Sequence, residues 1–236
     1  ELGVMVLFVL IVYFALISTK KAEQNKVWVG LSKETAHQLG TPISSLMAWM
    51  DLLESSGVDP SLLSDMNKDV NRLSVIAERF SKIGSKPEME LIYVNEVLEN
   101  ATEYMRRRVS DKVLITTHLP SDAEGAMVCL SLFEWVIENL CKNAVDAMNG
   151  EGRIDVYMTS EKQQIYIDIK DTGKGIARKN FKTVFNPGYT TKKRGWGLGL
   201  TLAKRIIEDY HAGRIYVKDS EVGKGTTFRI ELKRVV

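Results

Sequence analysis

Apolar residues recur at spacings of three and four over Ala36, Leu39, Ile43, Leu46, Met50 and Leu53, and again over Met66, Val70, Leu73, Ala77 and Phe80. A stripe this narrow is the seam of a coiled coil, not the broad face of a helix lying on a globular core. Between the two runs, Gly57 suits a helix C-terminus, Asp59 an N-cap and Pro60 a first helical turn. Two antiparallel helices joined by so short a turn cannot bury both seams alone. Pairing with a second copy into a four-helix bundle solves the problem, so a homodimer is expected.

Beyond "SKPEM" (residues 85–89) the pattern changes. "LIYV" and "KVLITTHL" read as strands around a helix at about residues 94–108, and a longer helix covers "LSLFEWVIENLCKNAVDAM". "RIDVYMTS" and "QQIYIDIK" alternate like a hairpin, a helix runs through "LTLAKRIIEDY", and "RIYVKDS" and "TTFRIEL" close the chain as strands. Helices and mostly antiparallel strands in this order predict an α+β two-layer sandwich.

The beginning is different again. Leu2 to Thr19 carries no charge, and Lys20, Lys21 and Lys26 follow. Eighteen helical residues reach about 27 Å against a bilayer core of roughly 30 Å, so a transmembrane helix is expected. Neither preceding basic residues nor a small-residue cleavage site marks a signal peptide. The lysines put the following residues on the cytoplasmic side of an inner or cytoplasmic membrane. Starting at Glu1, the chain reads as the C-terminal piece of a longer protein. The expected division is a membrane helix over 1–19, a dimeric helical hairpin over 20–86 and an α+β domain over 87–236. A net charge of +2 with 26% charged residues gives no case for nucleic-acid binding. Cys129 and Cys141 lack metal-ligand spacing and read as free buried thiols.

Four elements of the last domain make chemical sense together. Asn139 and Asn143 lie one turn apart on a helix, and their amide oxygens are hard ligands of the kind Mg²⁺ accepts. "DTGKGI" puts Asp171 at the end of an apolar strand, followed by Gly173 and Gly175. Its carboxylate can accept from an exocyclic amine while the glycines let a base approach; an ordinary Asp-Gly turn fits the same residues. "GWGLGL" opens a helix whose unpaired N–H groups suit a phosphate, with Gly197, Leu198 and Gly199 at the turn. The preceding Thr190, Thr191, Lys192 and Lys193 suit a flexible phosphate-closing lid. Finally, "GKGTTF" sets Gly225 and Thr226 at the start of the last strand.

A fifth feature lies in the first hairpin. "ETAHQLGTPISSL" (residues 34–46) places Gly40 and Pro42 inside a helix, one turn after His37. Proline there costs roughly 3 kcal/mol, and such rule-breaking beside a titratable nucleophile points to a site. His37 follows a seam position, so it faces the exposed flank, with Glu34 and Thr41 on the same side.

In order, "ENLCKNA", "DTGKGI", "FNPGYTTKKRGWGLGL" and "GKGTTF" resemble the asparagine, glycine and phenylalanine boxes of the histidine kinase ATP-binding domain, a member of the GHKL ATPases. The likeness covers about residues 90–236. "ETAHQLGTPISSL" resembles the phosphoacceptor motif of the dimerisation and histidine-phosphotransfer helices, so nearly the whole chain is similar to the C-terminal part of a transmembrane sensor histidine kinase. The resemblance implies ATP and Mg²⁺ as cofactors, Asn143 as metal ligand and Asn139 near the phosphates. Asp171 would read the adenine amino group with Gly173, Gly175 and a water on Thr226. Lys192, Gly197 and Gly199 would form lid and phosphate cradle, and Phe181 and Phe185 would pack the base of the lid. His118 and His211 match no motif and read as solvated or satisfied histidines.

The implied reaction is in-line attack by neutral His37, then transfer to an aspartate of a response regulator receiver domain. Relatives usually carry an acidic residue after the histidine, where this chain has Gln38. Its carbonyl can fix the ring tautomer but takes no proton, which leaves Glu34 as the other candidate for that role. Thr41 fills the position that in relatives orients a water for regulator dephosphorylation. Asp146 stands where many kinases have a basic or aromatic residue. An ATP-binding pseudokinase scaffold acting through its dimer is the alternative.

Overall fold

A computed structural model describes residues 2–83, 85, 87–192 and 197–235, with backbone only at 2, 4, 17, 18, 20–28 and 31. The chain divides into two compact units, Glu1–Pro87 and Glu88–Val236.

The first unit is an antiparallel pair, α1 (Leu2–Ser55) and α2 (Pro60–Ile83). The turn between them follows local chemistry. Gly57 adopts φ +78°, and Asp59 Oδ1 accepts the Ser61 N–H at 2.9 Å to cap α2. α1 runs through Pro42 unbroken. Pro42 has no N–H to give the Gln38 carbonyl, and hydroxyls cluster around it: Ser44 donates to the Gly40 carbonyl at 2.9 Å and Ser45 to the Thr41 carbonyl at 3.2 Å. Each seam is only part-buried. Ile43, Met50, Val70 and Ala77 form a core with Leu39 against it, whereas Leu46, Met66 and Leu73 are exposed.

The expected membrane helix lies within α1. Among the described residues, no helix is long and apolar enough to cross a membrane. The apolar side chains from Met5 to Leu16 are 41–66% exposed, so nothing within the unit covers them. The side chains of Lys20, Lys21 and Lys26 lie outside the described residues.

The second unit is an α+β sandwich. Its strands are β1 (Glu90–Tyr93), β2 (Val113–His118), β3 (Gly125–Val128), β4 (Gly152–Glu161), β5 (Gln164–Asp171), β6 (Arg214–Glu221) and β7 (Gly225–Val235). They run in the order β1-β3-β7-β5-β4-β2, with β6 also on β7. All pairs are antiparallel except β2 with β4. Helices α3 (Val94–Arg106), α4 (Leu130–Ala147) and α5 (Gly199–Arg205, running on as a π turn through Tyr210) supply the other layer. Leu132, Phe133, Ile137, Leu140, Ile154, Ile167 and Ile169 meet between the layers with essentially no exposure. β3 has no counterpart in the sequence reading. Its four residues include a glycine, and its pairing with β1 and β7 is entirely non-local.

Candidate functional site

α4 presents Asn139, Asn143 and Asp146 at helical spacing, the first two half-buried and the last exposed. The loop after β5 is fastened to the end of that helix, because the Lys174 N–H donates to the Ala147 carbonyl at 3.0 Å. This brings Asp171 to the same edge of the sandwich. Asp171 is buried, and its Oδ1 accepts the N–H groups of Gly173 at 2.8 Å and Thr226 at 3.3 Å. Burial pushes its pKa above the usual carboxylate value, against the two N–H bonds that favour the anion. Both bonds fall on Oδ1, so Oδ2 is the oxygen left to meet a ligand amine.

Two glycines here have a packing reason independent of any ligand. Gly225 adopts φ +127°, and a Cβ there would lie 2.0 Å from the Asp171 carbonyl oxygen. Gly175, at φ +71°, would put one 2.1 Å from the Glu221 carbonyl oxygen. Ser220 is a participant that the sequence reading missed. Its hydroxyl donates to the Gly225 carbonyl at 2.8 Å and accepts the Ile176 N–H at 2.7 Å. With one hydrogen already given, it accepts from Thr226 Oγ1 at 2.9 Å. A lone serine in a charged strand carries no signal of this.

Thr190, Thr191 and Lys192, expected to belong to a lid, follow Gly188, whose N–H donates to the Gly197 carbonyl at 3.2 Å. Phe185 packs edge-on to Phe228 at 6.1 Å and accepts at its carbonyl from Thr201 Oγ1. Phe181 is half-buried nearby in sequence. Thr190 Oγ1 accepts the Lys192 N–H at 3.1 Å, and Thr191 Oγ1 accepts from Lys174 Nζ at 2.8 Å. Lys192 Nζ reaches α4, 2.9 Å from Asn143 Oδ1 and 2.5 Å from Asp146 Oδ2. Leu198 precedes α5, and a Cβ on Gly199 would sit 2.6 Å from Asn139 Oδ1, so Asn139 lies against the start of that helix. Lys193, Gly195 and Trp196 lie outside the described residues.

The donor set suits a hard cation. Asn143 Oδ1 already accepts a positive group, the Lys192 ammonium, with a carboxylate oxygen beside it.

In the first unit, His37 is exposed on α1, among Ala36, Gly40, Thr41, Ser44, Ser45 and Ala48. These small neighbours leave the ring accessible. Gln38 Nε2 donates to Glu34 Oε1 at 2.7 Å, one turn earlier. The amide nitrogen is thereby committed, and the Gln38 carbonyl oxygen is the end free to turn to the ring. Thr41 Oγ1 stands 3.5 Å from the His37 carbonyl.

The other histidines are occupied. His118 stacks on Tyr157 at 4.4 Å with Nε2 3.4 Å from Asp155. His211 is buried between the Ile206 carbonyl and the Cys129 N–H. Both cysteines are free and buried, and burial pushes the Cys141 thiol up to about 12.

Residues 130–236, which hold every residue of the C-terminal site, match the family described as Histidine kinase-, DNA gyrase B-, and HSP90-like ATPase. The chain is 26% identical over 220 residues to sporulation kinase A of Bacillus subtilis (strain 168), covering 91% of this chain and 36% of that one. The matched residues 130–236 and this relative together support a resemblance to histidine kinases with this type of ATPase domain. The chain spans about a third of the length of that relative. Among solved structures, full-length ShkA in complex with AMPPNP matches 88% of this chain and 46% of its own, with a TM-score of 0.67 at 19% identity. Histidine kinase ThkA in complex with response regulator protein TrrA matches 94% of this chain and 66% of its own, with a TM-score of 0.60 at 19% identity. At these identities the two structures speak for the fold alone.

Proposed function

We propose that this chain is the phosphotransfer and catalytic part of a sensor histidine kinase, moving the γ-phosphoryl group of ATP to His37 and then to an aspartate of a response regulator receiver domain. The observation that carries this reading is a single match to sporulation kinase A running over 91% of the chain, through both the His37 hairpin and the ATPase unit. The complex of ThkA with its response regulator supports the choice of partner, and the AMPPNP complex of ShkA supports the choice of nucleotide.

In this reading Asp171 accepts the adenine amino group, with Gly173, Gly175 and a water on Thr226 completing that end of the pocket. Asn139 faces the phosphates. Thr190, Thr191, Lys192, Gly197, Leu198 and Gly199 close over them as the lid. Mg²⁺, held by Asn143, offsets phosphate charge when bound. His37 attacks in line through a neutral ring nitrogen: an N–P bond forms as the P–O bond to the departing ADP breaks. Gln38 orients the ring through its carbonyl, and Glu34 holds Gln38 by the bond described above. Phosphohistidine then passes its group to the regulator, and Thr41 can position a water for the reverse output, dephosphorylation of the regulator.

A homodimer is part of the proposal. Leu46, Trp49, Met66, Leu73 and Ile76 remain exposed on the hairpin, and a second copy would cover them. So is attachment to a membrane through the exposed apolar run Met5–Leu16, with residues 20–236 on the cytoplasmic side. Flotation with vesicles, lost on deleting residues 2–19, tests the attachment.

The chain incubated with radiolabelled ATP and Mg²⁺ should acquire label that is acid-labile, alkali-stable and absent from His37→Gln. Nucleotide binding without label on the protein would instead favour a pseudokinase scaffold.

A further inference from the structure

The lid lysine is bonded to two oxygens of one helix. Asp146 follows Asn143 by three residues on α4, so the two side chains share a face. Lys192 Nζ lies 2.9 Å from Asn143 Oδ1 and 2.5 Å from Asp146 Oδ2. Its neighbours in the lid are fastened as well, through Lys174 to Thr191 and through the Lys192 N–H to Thr190. The Lys192 and Asp146 side chains are 39% and 40% exposed, so water and ions reach the pair and the ammonium can be exchanged.

An amide oxygen alone is a weak, neutral ligand, whereas a carboxylate beside it adds the full charge that hard divalent cations prefer. The lysine ammonium and a divalent cation therefore want the same two oxygens, and one amide–carboxylate pair cannot serve both at contact distance. We propose that Asp146 is a second cation-binding residue beside Asn143, and that Lys192 and the divalent cation displace one another there. With no metal the lid is latched to α4 through Lys192. Arrival of the metal frees the ammonium, which can then turn to the phosphates. The inference rests on the nucleotide-site reading above and adds to it a residue and an order of events.

Mn²⁺ binding to the nucleotide-free chain, followed by electron paramagnetic resonance, reads the competition directly. Lys192→Gln removes the competitor and should tighten Mn²⁺ at least threefold. Asp146→Asn removes a ligand and should weaken it by a similar factor. Lys192→Arg, which keeps the charge, should behave like the unaltered protein. Hydrogen exchange over residues 186–192 should quicken severalfold on adding Mn²⁺ to the unaltered chain and be insensitive to Mn²⁺ in Asp146→Asn. Equal Mn²⁺ affinity in Lys192→Gln and the unaltered chain overturns the exchange, and unchanged affinity in Asp146→Asn removes Asp146 as a ligand. Binding of ADP to the unaltered protein, measured by dialysis, separates the two levels. Its absence brings down the nucleotide site itself, while its presence alongside unchanged metal binding brings down only the latch.

Discussion

His211 Nε2 accepts the backbone N–H of Cys129 at 3.0 Å, joining the end of the π turn to the start of α4. Because a backbone N–H can only donate, the ring proton sits on Nδ1, 2.7 Å from the Ile206 carbonyl. Burial holds the pKa of His211 below its ordinary value. The unfolded ring gains a proton as pH falls through about 6.5, while the folded ring resists it to lower pH. Stability should therefore drop as pH falls below about 6.5. Urea denaturation at pH 7 and pH 5 checks this: His211→Gln should show a smaller difference between the two than the unaltered chain does.

Asp171 has the opposite linkage. Its pKa is raised by burial, so its contribution to stability is present below the unfolded carboxylate value and is lost as pH rises through the folded one. Above its folded pKa the buried anion is a net cost to the fold. Asp171→Asn keeps an Oδ1 acceptor for Gly173 and Thr226, and should melt no lower than the unaltered chain at pH 7. Losing a charged acceptor of roughly 1.5–3 kcal/mol should weaken adenine nucleotide binding by about 10- to 100-fold, as read by calorimetry.

Gly225 cannot be replaced without moving β7 away from Asp171. Gly225→Ala combines a left-handed backbone position with a Cβ 2.0 Å from a carbonyl oxygen. The expected loss is at least about 2 kcal/mol of unfolding free energy. Denaturation with urea measures it, and a neutral result would mean the strand ends separate easily.

The Gln38–Glu34 bond predicts a kinetic effect without a structural one. Gln38→Ala should slow His37 labelling by about tenfold, near 1.4 kcal/mol of activation free energy. The far-ultraviolet circular dichroism of the hairpin should not change. Glu34→Gln should slow it less, since a neutral amide can still hold Gln38. A larger effect of Glu34→Gln than of Gln38→Ala would instead make Glu34 the proton acceptor.

Much of the molecule follows from neighbours in sequence. The turn at Gly57, Asp59 and Pro60 is readable because capping and left-handed geometry act over three or four residues. The β4–β5 hairpin is readable because period-2 alternation meets itself across a short turn. The seam residues were equally legible as apolar. Which of them the hairpin buries was not: Ile43 and Val70 face inward while Leu46 and Leu73 face out, and that division depends on how α1 and α2 are rotated against each other.

The sequence by itself determined the residue types that a GHKL-type site needs and their order along the chain, because motif spacing and local periodicity are carried by the chain alone. Tertiary structure decided what those residues meet. β3 exists only through distant partners, Ser220 enters through a hydroxyl network spanning two strands, and His211 is locked by a residue 82 positions away. Gly225 is glycine because a carbonyl from another strand passes within 2.0 Å of where its Cβ would be. Lys192 finds Asp146 across 46 residues. Each of these is a contact between segments that the fold brings together, and local periodicity carries no term for it.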